Sequence, residues 1–470
     1  MNEYEDTYFF SAEEAYRVAL EQNRSEDDTL LQVCYYDGEK LDTDVVNLIH
    51  LPIDNLLEDL ARGRYRLPTK VSLEGMELSE AVKLDIIQGF DMSLFQVKDY
   101  RNQYNKHYYN SMKTAKLDFD EPLRFYLLAN AQTQVMQHVS KSIANTLKRE
   151  GYDVLFDLYC GIEDVYSVQK ICEFNPHVVV NINAFNNHYL SEDCFNFVWF
   201  QDAMPILQSS ELIDLRQRDY IYSLVAELDR LLEQKSIPFL RQSFCLNNDV
   251  YKLDESVERK KKIVFIGSSY YTSKYDSDEL SPVIDKLIQM FNAGESFTNK
   301  KIDLISQEFH VDREYLGVKI IPYVVRDLSV LWLCSIESDY EIEIYGYGWE
   351  HYEGIQSFYK GSLAYGDDIA KVYNSATFCF SPHQTYLLQQ RVLESSACGA
   401  IPITYDCRDI SDGKDYEEAL VFFKTKDDLT DILTQKELHK KDFINLLNEN
   451  DYKVFTDRIL KVIKKGLIDE

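Results

Sequence analysis

Arg391 and Glu394 stand one helical turn apart in the segment RVLESSACGAIPIT, residues 391–404. At i and i+3 the two side chains share a helix face. Ser395, Ala397 and Cys398 are small enough to let that helix lie close to a neighbour, and Gly399 fits the left-handed residue that follows a helix end. The run IPITY then reads as a short buried strand with Pro402 at its beginning. With the apolar run ATFCFSP before it and the loop HQTY between, the unit is strand, loop, helix, strand, one step of a parallel sheet. Ligands of such sheets sit beyond the carboxyl ends of the strands, where helix amino termini point. The plain alternative is a structural unit of the same shape carrying an ordinary surface ion pair.

Further strands surround this unit. KKIVFIGSS ends in Gly267, Ser268 and Ser269, and EIEIYGYGWE ends in a glycine-spaced loop containing Tyr347 and Gly348. A helix is expected from about Ser281, and a charged helical stretch from about residue 425 onward. Ahead of these lies a second α/β pattern. LRFYLLAN, YDVLFDLY, PHVVVNINA and FNFVWFQDAMP read as buried strands, and VMQHVSKSIANTLKREG as a helix ending at Gly151. RDYIYSLVAELDRLLEQKS reads as one helix. The GxGxxG dinucleotide fingerprint is absent. Residues 1–118 read as a separate α+β module, with a capping box at Ser11 and Glu14, a strand in TLLQVCYYDG and a tyrosine-rich polar run near its end. The expected boundaries are 1–118 for this accessory module, 119–255 and 256–425 for two Rossmann-like doubly wound domains, and 426–470 for terminal helices. Two such domains in succession describe an enzyme with a small-molecule cleft.

The totals narrow the classes. With 470 residues, more than one core is expected. No apolar run approaches the ~20 residues of a membrane span, and the opening MNEYEDTYFF has no basic stretch followed by an apolar one, so a cytoplasmic location is expected. Nine cysteines without a CxxC pair point to a reduced chain without a zinc cage. A net charge of −29 with no basic stripe argues against nucleic acid as a partner. The one basic patch, RILKVIKKGL at 458–467, reads as a face of a surface helix; weak contact with the inner face of a membrane is the alternative.

Four segments in order, VFIGS, IYGYGW, YKGSLAYGDDIAKVYNSATFCFSP and RVLESSACGAIPITYD, resemble the donor domain of glycosyltransferases of the GT-B fold, in the group-one and spore-maturation-protein-like branch. The resemblance covers residues 123–425 and is strongest over 262–410. It implies transfer of a hexosyl or related group from a nucleotide-sugar donor to a glycan, lipid-linked or protein acceptor of bacterial type, with neither metal nor cofactor. It places Glu394 on the donor ribose hydroxyls, a task suited to a carboxylate that accepts from two neighbouring OH groups. Arg391 and Lys274 would neutralise the leaving diphosphate, Gly267 and Ser268 would admit it close to the backbone, and Tyr347 and Gly348 would shape the pocket. Backbone amides from Tyr386 and Leu387 to Leu388 would face the phosphates. Where many group-one enzymes carry a second glutamate eight residues before the ribose glutamate, this chain has Tyr386, so His383 and Gln384 become the expected sugar contacts. The acidic run DSD at 276–278 reads as helix-start chemistry and not as a metal site.

For an inverting reaction an acid–base group is needed on the acceptor side. Asp202, immediately past the strand FNFVWF, is the first choice, His188 in the loop FNNHYL the second, and His138 a rival more plausibly packed in its helix. Two other readings fit the same fold: a non-catalytic nucleotide- or sugar-binding scaffold that assembles with itself or a partner through residues 1–118, and a nucleotide-sugar epimerase.

Overall fold

The strand FNFVWF is buried along its whole length, residues 195–200. Burial on both faces belongs to the interior of a parallel sheet covered by helices, and that is the environment it has in the computed structural model. The structure describes residues 7–23, 33–35, 40–41, 48–51, 56–61, 67–68, 70–130, 134–159, 165–410, 416–435 and 441–468. Among them, every strand pairing within the three sheets is parallel. The chain divides into two compact units, Met1–Arg241 with Ile459–Glu470, and Gln242–Arg458.

The first unit holds two sheets. β1 (Thr7–Phe9), β2 (Val33–Tyr35), β3 (Leu48–His50) and β4 (Lys70–Ser72) form a small sheet in the order β3-β2-β1-β4. The accessory module expected to be α+β is thus built on a parallel sheet. β5 (Arg124–Asn130), β6 (Asp153–Tyr159), β7 (Val178–Ile182), β8 (Phe195–Phe200), β9 (Asp219–Ser223) and β10 (Phe239–Arg241) form the large one, in the order β10-β9-β8-β7-β5-β6. Counted from β5, this is the doubly wound order 2-1-3-4-5 extended by a sixth strand, with the direction of winding reversing between β5 and β7.

One helix, Glu80–Lys113, serves both sheets. Ser79 caps it, its hydroxyl accepting from the Val82 amide at 3.4 Å. Val97 packs with Tyr8, Cys34 and Leu60 of the small sheet's core, while Met112 packs with Tyr126, Ile171 and Val179 of the large one. The tyrosine-rich polar run is therefore the second half of this helix.

The segment 218–236, expected as one helix, is instead β9 followed by the helix Ala226–Gln234. Tyr220 and Tyr222 pair with Phe197 and Trp199 of β8, and the extended backbone at Val225 separates strand from helix. The strand's buried run of tyrosine and isoleucine outweighs a helical reading that rested on the residues after it.

In the second unit β11 (Lys262–Ile266), β12 (Glu341–Tyr345), β13 (Phe378–Ser381), β14 (Ile401–Tyr405) and β15 (Val421–Phe423) lie in the order β12-β11-β13-β14-β15. The winding reverses between β11 and β13, with Ile263 in register with Phe378 and Phe378 with Ile401. Helices Ser281–Asn292, Asn299–Phe309 and Ile321–Ser335 pack Leu287, Ile305 and Val330 onto a core shared with Phe265, Ile344 and Phe380. No helix among the described residues is long and apolar enough to cross a membrane.

Candidate active site

The loops after β11 and β12 are laced together where the sheet's winding reverses. Gly267 N donates to Tyr345 O at 2.9 Å and Ser269 N to Tyr347 O at 2.9 Å, prolonging the ladder beyond the strands. Trp349 Nε1 donates to Gly267 O at 2.7 Å, and Tyr347 N to Ser268 Oγ at 3.3 Å. This crossing requires glycine at 346: φ is +122°, and a Cβ there would stand 2.4 Å from the Gly267 carbonyl oxygen.

Asp327, on the helix Ile321–Ser335, pins the Gly-Ser-Ser loop from below. Its carboxylate accepts from Ser269 Oγ at 2.6 Å, Tyr270 N at 3.1 Å and Tyr352 OH at 2.8 Å. Burial pushes its pKa up while those donors pull it back. The preceding residue, Arg326, is buried, stacks 3.7 Å over the Tyr270 ring and donates from Nη1 to Ser268 O at 3.3 Å. Its Nε has no hydrogen-bond partner among the described residues. Burial, and next the nearby charge of Arg391, lower its pKa to about 10.

Arg391 approaches the same loop from the helix Gln390–Ala397. Its guanidinium lies 5.4 Å from the centre of the Phe265 ring, and its buried Nη1 is also without a partner among the described residues. Gly267 makes the space: a Cβ there would be 2.9 Å from that Nη1. Neither arginine reaches a described carboxylate within ion-pair distance. Two neighbouring cations, each with a buried N–H unused among the described residues, are an arrangement that could hold an anion.

His383, in the loop after β13, adds a neutral donor. Its Nδ1 accepts from the amides of Thr385 at 3.4 Å and Tyr386 at 3.2 Å, which leaves the proton on Nε2. Burial, then the charges of Arg326 and Arg391, lower its pKa to about 3. The Tyr386 amide, expected to face phosphate, is thus already donated to His383. The side chains of Tyr386 and Leu387 are buried, as is Gln384, and Tyr386 stands edge-on to Phe244 at 6.1 Å.

Glu394 is buried, at 4% exposure. Its Oε1 accepts from Tyr365 OH at 3.1 Å and Gln390 Nε2 at 3.3 Å. Burial raises its pKa to about 7, against the pull of Gln390, Tyr365 and the charge of Arg391. Lys274 is exposed on the short turn Ser273–Asp276, whose Asp276 accepts from Tyr271 OH.

The expected acid–base residues belong to the first unit. Asp202 is exposed just past β8, with Oδ2 accepting from Asn183 Nδ2 at 2.8 Å; Asn183 Oδ1 in turn accepts from the amides of Gln201 at 2.8 Å and Asp202 at 3.1 Å. His188 stands edge-on to Tyr109 at 5.4 Å and to Tyr189 at 4.7 Å, and burial lowers its pKa. His138, mid-helix, has its pKa lowered in the same direction and by the same cause.

Sequence reasoning passed over Arg326, Asp327 and Gly346. The signal for the first two was a charged pair inside the otherwise apolar run IPYVVRDLSVLWL.

Residues 326–449 match a family model described as "Glycosyl transferase-like". No curated protein matches. Similar solved structures include a glycosyltransferase from Rickettsia africae, 12% identical over 74% of this chain and 100% of that one, with a TM-score of 0.45. A sucrose-phosphate synthase from Thermosynechococcus elongatus is 9% identical over 74% and 100%, with a TM-score of 0.43. A putative UDP-N-acetylglucosamine 2-epimerase from Listeria monocytogenes is 9% identical over 74% and 98%, with a TM-score of 0.37.

Proposed function

We propose that the chain is a glycosyltransferase whose second unit binds a nucleotide-sugar donor. The observation that carries the reading is the pair Arg326, buried, and Arg391, half-buried, each with a buried N–H that has no partner among the described residues, which converge on a glycine-serine loop at the sheet's winding reversal. A diphosphate matches that site in charge and in its need for several N–H donors. The segment matching the glycosyl transferase-like model begins at Arg326 and includes Arg391 and Glu394, which supports the same reading.

In this reading the arginines hold the diphosphate and stabilise its charge as the bond to the sugar breaks. Fixed in place before reaction, they need little reorganisation, and no metal is assigned to the step. His383 Nε2–H donates to the sugar or a phosphate oxygen without adding a charge, since its pKa lies far below neutrality. Glu394 accepts from the donor ribose. Asp202, oriented by Asn183, is the group that takes the proton of the acceptor hydroxyl if the reaction inverts.

The test is a thermal-shift panel with UDP, GDP, CDP, CMP and TDP. A ligand held only by the folded chain adds about 2.7 kcal/mol at a hundredfold excess over Kd. One nucleoside diphosphate should raise the melting temperature, and Arg391→Met should abolish the shift. If no nucleotide shifts it, the reading falls.

A further inference from the structure

Gln201, the first residue after β8, is 8% exposed, yet both its amide nitrogen and its amide oxygen lack hydrogen-bond partners among the described residues. A buried amide left unpaired at both ends is costly, on the order of 1–3 kcal/mol for each group. It stands at the carboxyl end of a central strand, the position where sheets of this kind bind ligands. Beside it Asp202 is held through Oδ2 by Asn183, and its Oδ1 has no partner among the described residues.

The charge of the surrounding chain limits what this edge can take. The described segments that follow β7, β8 and β9, at 183–187, 201–204 and 224–225, contain no lysine or arginine, and they carry Asp202. Arg216 and Arg218 lie at the opposite, amino end of β9 and are engaged, Arg216 with Asp219 at 2.6 Å and with Ser191 O, Arg218 with Asp193 O. The second unit's strand ends, by contrast, bring Arg326 and Arg391 together. A phosphate has a place there and none here. An amide that donates and accepts, next to a carboxylate with a spare oxygen, suits a pair of neighbouring hydroxyls.

We propose that Gln201, with Asp202, binds the hydroxyls of an uncharged sugar, so that the acceptor of the transfer is a neutral carbohydrate and not a phosphate-bearing molecule. This rests on the transferase reading for the word acceptor; the sugar site itself stands on Gln201 and its surroundings.

The experiment is saturation-transfer NMR on the full chain with excess UDP and GDP present to occupy any nucleotide site. The probes are N-acetylglucosamine, maltotriose, the phosphomonoester of each, and a neutral serine- and threonine-rich peptide. At least one neutral sugar should bind more tightly than its phosphomonoester, and Gln201→Met, close in volume, should weaken that sugar about tenfold, as expected for one buried hydrogen bond. Gln201→Glu, which keeps an acceptor but loses the donor, should weaken it as well and serves if the methionine variant does not fold. The proposal is overturned if the phosphomonoesters bind more tightly, if neutral-sugar binding survives both substitutions, if only the peptide depends on Gln201, or if no probe binds. Failure of the transferase reading shows separately, as absent nucleotide binding in the same samples, and leaves the comparison of sugars intact.

Discussion

Arg391 sits where it does because residue 267 has no side chain. The atom that a Cβ at 267 would crowd is the far end of a long side chain, which can swing away, so Gly267→Ala should leave the fold nearly as stable as before while moving the guanidinium off the loop. The expected outcome is a loss of about one to two decades in nucleoside diphosphate affinity by calorimetry, the share of a charge-assisted hydrogen bond, with an unchanged denaturant midpoint. An unchanged affinity would remove Arg391 from the anion site. Glu394 allows a second test because burial raises its pKa to about 7. The folded value exceeds that of the unfolded chain, roughly 4.3, so the folded state holds a proton that the unfolded state has released. Its contribution to stability is therefore present below about pH 4 and is lost as pH rises to about 7, a decline of about 3 kcal/mol. Glu394→Gln should flatten that decline in urea titrations and make the protein more stable at pH 8. The same substitution should weaken nucleotide binding more at pH 8 than at pH 6, where the wild-type acid is itself largely protonated and resembles the amide.

The strand–loop–helix–strand unit around Arg391 was legible from the sequence because each piece declared itself. Phe378–Phe380 is apolar and opens a strand buried throughout, Gly399 at φ +80° ends the helix, and Ile401–Tyr405 is a mostly buried strand. Other elements were hidden for physical reasons. Asp219–Ser223 is a strand through pairing with β8, a contact that no local pattern contains, and the second half of the helix Glu80–Lys113 read only as a polar, tyrosine-rich run because only Val97, Arg101 and Met112 along the helix are buried. Arg326 was missed because it reaches the site from a helix well removed in sequence from the loop it serves. Gly346 was visible as a loop glycine, but its reason, the crossing of two loops, exists only in three dimensions. Gly346→Ala tests that reason. A Cβ set 2.4 Å from the Gly267 carbonyl meets backbone, not a side chain that can move, and φ of +122° strains any L-residue. The expected cost is on the order of 3 kcal/mol or more, read as a lowered urea midpoint, together with weakened nucleotide binding. A variant with wild-type stability and affinity would show that the two loops are not held as described.

A net charge of −29 repels a nucleotide diphosphate at long range, so in the proposed function the protein as a whole would do nothing to draw the donor in. Affinity and charge stabilisation would then fall on the local cations, Arg326, which is buried, and Arg391, whose Nη1 is buried, where screening by solvent is weak. If these two carry the charge of the departing diphosphate, a divalent ion is not required for the chemical step. Turnover of a nucleotide-sugar built on the nucleotide that the thermal panel identifies should accordingly survive exhaustive EDTA treatment, remaining within about twofold, because the arginines would supply the electrostatic stabilisation that catalysis needs. A modest rise on adding Mg²⁺ would be compatible, since the ion pairs with the donor and reduces its repulsion from an acidic protein. Arg326→Met and Arg391→Met should each lower kcat about a hundredfold or more, the range seen when one preorganised donor is removed, and Mg²⁺ should not rescue either. Abolition of turnover by chelation, with recovery on adding Mg²⁺ or Mn²⁺, would transfer the leaving-group role from the arginines to a metal and direct attention to the acidic turn at 276–278.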